Sequence, residues 1–137
     1  MQSATLANLI DTHGVEVLEH LDRDMSIPIL TGLQRQGDVI VIPDMSAGAT
    51  TPVLATGTPV VKGENGGNAH AIVGEGDVRV DTFTPSARSL LVAKLNVAEG
   101  AVAYLAHPEH GYMGIGAGNY TISRQREQAD EIRVVAD

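Results

Sequence analysis

Gln36-Gly37-Asp38-Val39-Ile40-Val41-Ile42-Pro43 decides the fold class of this chain. Gly37-Asp38 marks a turn, and four β-branched residues follow it. Pro43, with no amide hydrogen for a ladder, ends the run. The run predicts a strand buried on both faces, from Val39 to Ile42, at the centre of the core.

Upstream, Leu6, Leu9 and Ile10 recur at helical spacing between Ser3 and His13. Ser3 is placed to cap the N-terminus, and Gly14 stands where a left-handed residue ends a helix. Beyond Gly14, Val15 and Val17 alternate with Glu16 and Leu18, which predicts a strand in preference to a longer helix. Pro28 confines Ile27–Leu30 to an edge or a bulge. Downstream, residues 46–59 read as an irregular surface loop rich in Ala, Thr, Gly and Pro. Ala69–Val73 and Val78–Phe83 flank Gly74-Glu75-Gly76-Asp77, and Arg88–Val97 and Ala101–Ala106 flank Ala98-Glu99-Gly100. Both read as hairpins. Tyr120–Arg124 and Glu131–Val135 complete a set of short strands, so residues 1–137 are expected to form a single mostly β domain with a short N-terminal helix. Sandwich, barrel and double-stranded β-helix all fit this spacing.

Composition narrows the functional classes. The formal charge of the 137 residues is −8, with 17 acidic and 9 basic side chains, which disfavours nucleic acid as a partner. Phe83, Tyr104, Tyr112 and Tyr120 are the only aromatic residues, and none lies among clustered Lys and Arg as a base-stacking platform requires. No apolar run reaches the ~18 residues of a membrane span. With no basic, apolar leader either, the expected location is cytoplasmic at synthesis. The absence of Cys leaves His, carboxylate and backbone oxygen as the only metal ligands.

His70, His107 and His110 are the candidate metal ligands. Imidazole suits first-row divalent ions, and the segment His107-Pro108-Glu109-His110 converges two rings if it turns. Glu64 or Glu109 can add a carboxylate. The order of these His is similar to that of cupins, with two departures: Asn68 stands where the first His of a His-x-His pair would be, and no Glu follows at the usual short interval except Glu75. Serine hydrolysis finds no Gly-x-Ser-x-Gly elbow. The glycines of residues 111–119 precede a strand pattern at Tyr120–Ser123, so they read as a tight β-turn and not a phosphate loop.

The segments Gln36–Pro43, Asn68–Ile72, His107–His110, Gly118–Tyr120 and Arg124–Glu127 resemble those of a group of small β-rich proteins from actinobacteria and their phages. The resemblance covers residues 36–137 and implies a β-rich fold in a phage or actinobacterial setting, with no activity attached. Members often carry His at the position of Asn68, so a metal site implied for the group lacks that ligand here. The leading expectation is a non-enzymatic virion accessory subunit of capsid-decoration type, localised to the virion, with a capsid or a homo-oligomer as protein partner and no cofactor. The alternative is a cupin-like metal-binding protein or metalloenzyme with a divalent ion on the three His. For the assembly reading, Arg124, Arg126 and Arg133 are the expected interface cations, because the guanidinium binds carboxylates in bidentate fashion. Val53 and Leu54 are the expected apolar contacts, on a loop that also holds Met45, Ala47, Ala49 and Ala55.

Overall fold

Thr5 starts the only helix among the described residues, and its side chain shows why. In the computed structural model, which describes residues 4–18, 21–62, 69–84 and 90–124, Thr5 accepts from the Asn8 amide while the Asn8 side chain accepts from the Thr5 amide. This reciprocal capping box fixes the first turn of α1 (Leu6–His13), so the cap is Thr5 and not Ser3. Gly14, at φ 82°, ends the helix by returning its amide to the Ile10 carbonyl. Leu6 and Leu9 bury the inner face of α1 against Tyr104, Ala106 and Tyr112.

The expected strand after Gly14 does not form among the described residues. Arg23 accounts for this, because its guanidinium takes the carbonyls of Val17, Leu18 and Leu21 and satisfies the backbone without a ladder.

Ten strands follow among the described residues: β1 (Ile29–Leu30), β2 (Gln34–Gln36), β3 (Val39–Pro43), β4 (Thr58–Val61), β5 (His70–Glu75), β6 (Val78–Thr82), β7 (Leu91–Val97), β8 (Val102–His107), β9 (Gly111–Ile115) and β10 (Gly118–Arg124); the strand expected at Glu131–Val135 lies outside them. They form two five-stranded sheets, β1-β9-β8-β5-β4 and β2-β3-β10-β7-β6, stacked as a sandwich and not closed into a barrel. Their inner faces meet in one cluster that includes Val39, Val41, Ile72, Val80, Leu95, Leu105, Ile115 and Ile122. No described helix is long and apolar enough to cross a membrane.

β3 is buried on one face only: Val39 and Val41 are fully buried, whereas Ile40 and Ile42 are intermediate. α1 covers the outer face of the β8-β9 sheet, and β3 belongs to the other sheet.

Neither expected hairpin exists. β5 and β6 lie in opposite sheets, as do β7 and β8. Each connection is an arch that carries the chain over the core edge. The two arches brace each other, since the Ala98 amide donates to the Asp77 carbonyl. A Cβ on Gly76, which sits at φ 87°, would lie 2.9 Å from that of Ala101. β9 and β10 are arched in the same way. The true hairpins are β2-β3, β4-β5, β6-β7 and β8-β9. All four connect strands at the opposite end of the sandwich from the arches.

The 46–59 loop is not a free apolar surface. The Asp81 carboxylate accepts the Thr50 and Thr51 amides. The Val80 amide donates to the Thr51 carbonyl, and the Val53 amide donates to the Val78 carbonyl. The loop thereby covers the edge of β6, where bare ladder groups would otherwise recruit another strand. Ala47 and Ala49 are buried, and the partly buried Val53 packs against the core. Leu54 is exposed.

Candidate metal centre

Strand phase places two imidazoles between the sheets. His70 shares the parity of Ile72 on β5, and His107 shares that of Leu105 and Ala103 on β8, so both follow core residues inward. They are neighbours across the β5-β8 ladder, where Ala71 pairs with Ala106. Each is 6% exposed. The turn after β8 supplies the third ring: the His110 amide donates to the His107 carbonyl, and Gly111 at φ 84° starts β9. His110 is exposed.

The three expected ligands therefore converge. Ring centroids are 4.3 Å apart for His70 and His107, 4.7 Å for His107 and His110, and 5.8 Å for His70 and His110. One ligand nitrogen from each lies within 4.8 Å of the other two. Nitrogens bound at ~2.0–2.1 Å to one tetrahedral ion are about 3.3 Å apart, so closure requires movements of order 1 Å. The exposed ring of His110 is the one placed to supply them.

The opposite sheet forms the other wall. Gln36, 7% exposed, reaches across the sandwich, and its Nε2 donates to the Leu105 and Gly111 carbonyls at 3.1 and 3.3 Å. Its Oε1 is buried without a partner. Gly37, at φ 60°, lies under His110 so closely that a Cβ there would be 2.9 Å from Nε2. Asp38 pairs with Arg124 at 3.1 Å. Arg124, expected at an interface, thus holds a carboxylate of its own chain, while Arg126 and Arg133 lie outside the described residues.

Burial, aided by the neighbouring His107 ring and opposed by Asp38, lowers the pKa of His70 to about 4. Neutral imidazole is the form that ligates metal. His70 Nε2 is also buried with no hydrogen-bond partner, an arrangement that native interiors rarely leave unmatched. His107 Nδ1 accepts the Glu109 amide at 3.0 Å, which places the proton of the neutral ring on Nε2. An ion held through that Nε2 would require the proton on Nδ1, where it would compete with the Glu109 amide, and would so couple the site to the turn that carries His110.

Among the described residues, no carboxylate joins the cluster. Glu109 contributes its amide and its side chain is exposed, Glu75 bonds His13 at 3.1 Å, and Glu64 lies outside the described residues. Gln36, Gly37 and Asp38 are the residues that sequence reasoning missed. Their signal was phase, because Gln36 pairs with Val39 and must face inward with it.

Residues 35–125 match the family model described as "Domain of unknown function (DUF8820)". No curated protein and no solved structure gives a match. The matched region holds the whole candidate centre, and the chain belongs to this family.

Proposed function

We propose that this member of the family binds one divalent first-row transition-metal ion through His70, His107 and His110. The observation that carries the reading is convergence: three imidazoles from two strands and a turn offer ligand nitrogens within 4.8 Å, and the buried His70 Nε2 has no other partner. Three neutral His suit Zn²⁺ and its first-row neighbours better than Mg²⁺ or Ca²⁺, which take oxygen. With His110 exposed, the fourth position opens to solvent and is available to water or a small ligand. A zinc ion so bound lowers the pKa of its water to about 7. The test is isothermal titration with Zn²⁺ and elemental analysis after dialysis. One ion per chain is expected, lost in His70→Ala, His107→Ala and His110→Ala; failure of the wild-type chain to retain zinc overturns the proposal.

A second reading is a surface-presenting subunit of an assembly, such as a virion accessory protein on a capsid. The observation in its favour is the exposure of Met45 and Leu54, at 94% and 56%, on the loop that covers β6. Sedimentation of the wild-type chain beside Met45→Ser/Leu54→Ser distinguishes it. Self-association lost in the double variant supports it, and a monomer throughout argues against a homo-oligomer.

A further inference from the structure

The described residues hold six lysines and arginines, and two of them, Lys62 and Arg124, line one cleft. The cleft encloses about 430 Å³ between β4 of one sheet and the ends of β6, β7 and β10 of the other. That size falls within the range of sites for small organic ligands. It adjoins the imidazoles, because Val61 on its wall pairs with His70. The floor is apolar, built by the buried Val60, Val61 and Val92, and Phe83 forms a partly exposed wall. Lys94 Nζ stands 5.9 Å from the centroid of the Phe83 ring.

Charge distinguishes this surface from the rest. The chain carries 17 carboxylates and a net charge of −8, yet among the described residues no Asp or Glu lines the cleft. A cationic rim over an apolar floor is complementary to an anion with a hydrocarbon body. Arg124 holds Asp38 at the cleft's edge and brings a guanidinium charge to its lining. Lys62 is exposed at the rim and adds a second positive charge.

We propose that this cleft binds a small organic monocarboxylate, with its head group at Lys62 and Arg124 and a short apolar body against Val60, Val92 and Phe83. The site stands apart from the metal reading, since no imidazole lines it.

The test uses the full chain, labelled at valine methyls, titrated with hexanoate and in parallel with hexanol and inorganic phosphate. Each titration is run with Zn²⁺ and again with EDTA. Hexanoate is expected to shift the Val60, Val61 and Val92 methyls saturably, while equal concentrations of hexanol or phosphate leave them in place. Lys62→Met should weaken hexanoate about tenfold, the effect of one lost charge-assisted contact. Phe83→Ala, at a partly exposed position, should weaken it independently, and a thermal melt of each variant confirms folding. Equal shifts with hexanol or with phosphate, or hexanoate affinity unchanged in both variants, overturn the proposal. Hexanoate binding that persists in EDTA supports it even if zinc is never retained, so the two readings fail separately.

Discussion

Gly37→Ala tests whether the β2-β3 turn supports the imidazole cluster. The substitution has two consequences that the structure separates. An alanine at φ 60° meets the left-handed penalty of about 1–2 kcal/mol. Its Cβ would also lie 2.9 Å from His110 Nε2, closer than real Cβ contacts allow. The end of the His110 side chain can give way where the backbone cannot, so the ring is displaced from its two partners. Gly14→Ala is the control: it sits at φ 82° with nothing within 4 Å of the new Cβ, and it meets only the first penalty. Urea unfolding in EDTA should therefore show both variants less stable than wild type by about 1–2 kcal/mol. Competition titration with a zinc chelator should show Gly37→Ala binding zinc roughly 10- to 100-fold more weakly, the usual effect of disturbing a ligand's support. Gly14→Ala should bind as wild type does. Wild-type zinc affinity in Gly37→Ala would refute the placement of His110 against this turn.

Other outcomes follow from burial and capping. In EDTA, stability should fall by up to about 3 kcal/mol as pH drops from 6.5 to 4, because unfolded His70 takes a proton that its folded counterpart, with a pKa near 4, refuses. Urea melts of His70→Leu should lack that contribution, and a wild-type curve that parallels the variant's contradicts the burial of this ring. Thr5→Ala removes the capping box and should cost about 1 kcal/mol by the same assay. Val41→Ala, in the fully buried phase of β3, should cost about 2 kcal/mol, whereas Ile40→Thr on the outer face should cost less than half as much. Equal costs at the two positions would mean that β3 is covered on both sides.

The strands were legible wherever turn residues bounded a β-branched run, as from Gln36 to Pro43, or alternating apolar positions, as from Tyr120 to Arg124. Their partners were not. Gly74–Asp77 joins two strands that each bury one face, and that pattern is the same whether they lie side by side or face to face. The distinction is made by β4 and β8, which occupy both edges of β5. Ile40 and Ile42 misled for a related reason, since β-branched residues favour the pleated backbone whether or not anything covers them. A bulge hid another detail: the register of β7 shifts between Ile122 and Ser123 of β10, which buries Val92 and leaves Leu91 intermediate. The three His were visible as residues of the right chemistry in turn-like contexts. Their convergence required β5 to lie beside β8, a pairing that spans about 35 residues and leaves no local mark. Gln36 was missed although its inward phase follows once it pairs with Val39, whereas Gly37 in the turn gives no sign of the ring that lies above it.

The alternation of arches and hairpins sets a schedule for folding. After β4 and β5 in one sheet, the chain places β6 and β7 in the other, returns for β8 and β9, and crosses again for β10. Neither sheet can be completed before the other, and β3 waits for β10, some 80 residues away, before its inner edge is paired. Loop closure of that length precedes any reward from contact, so refolding should be slow and concerted, on the millisecond-to-second scale of non-local β proteins. His107 and His110, three residues apart, can meet an ion in the unfolded chain, whereas His70 joins them only once β5 docks on β8. Zinc added during refolding would therefore first be held by two ligands, and gain the third as a late event.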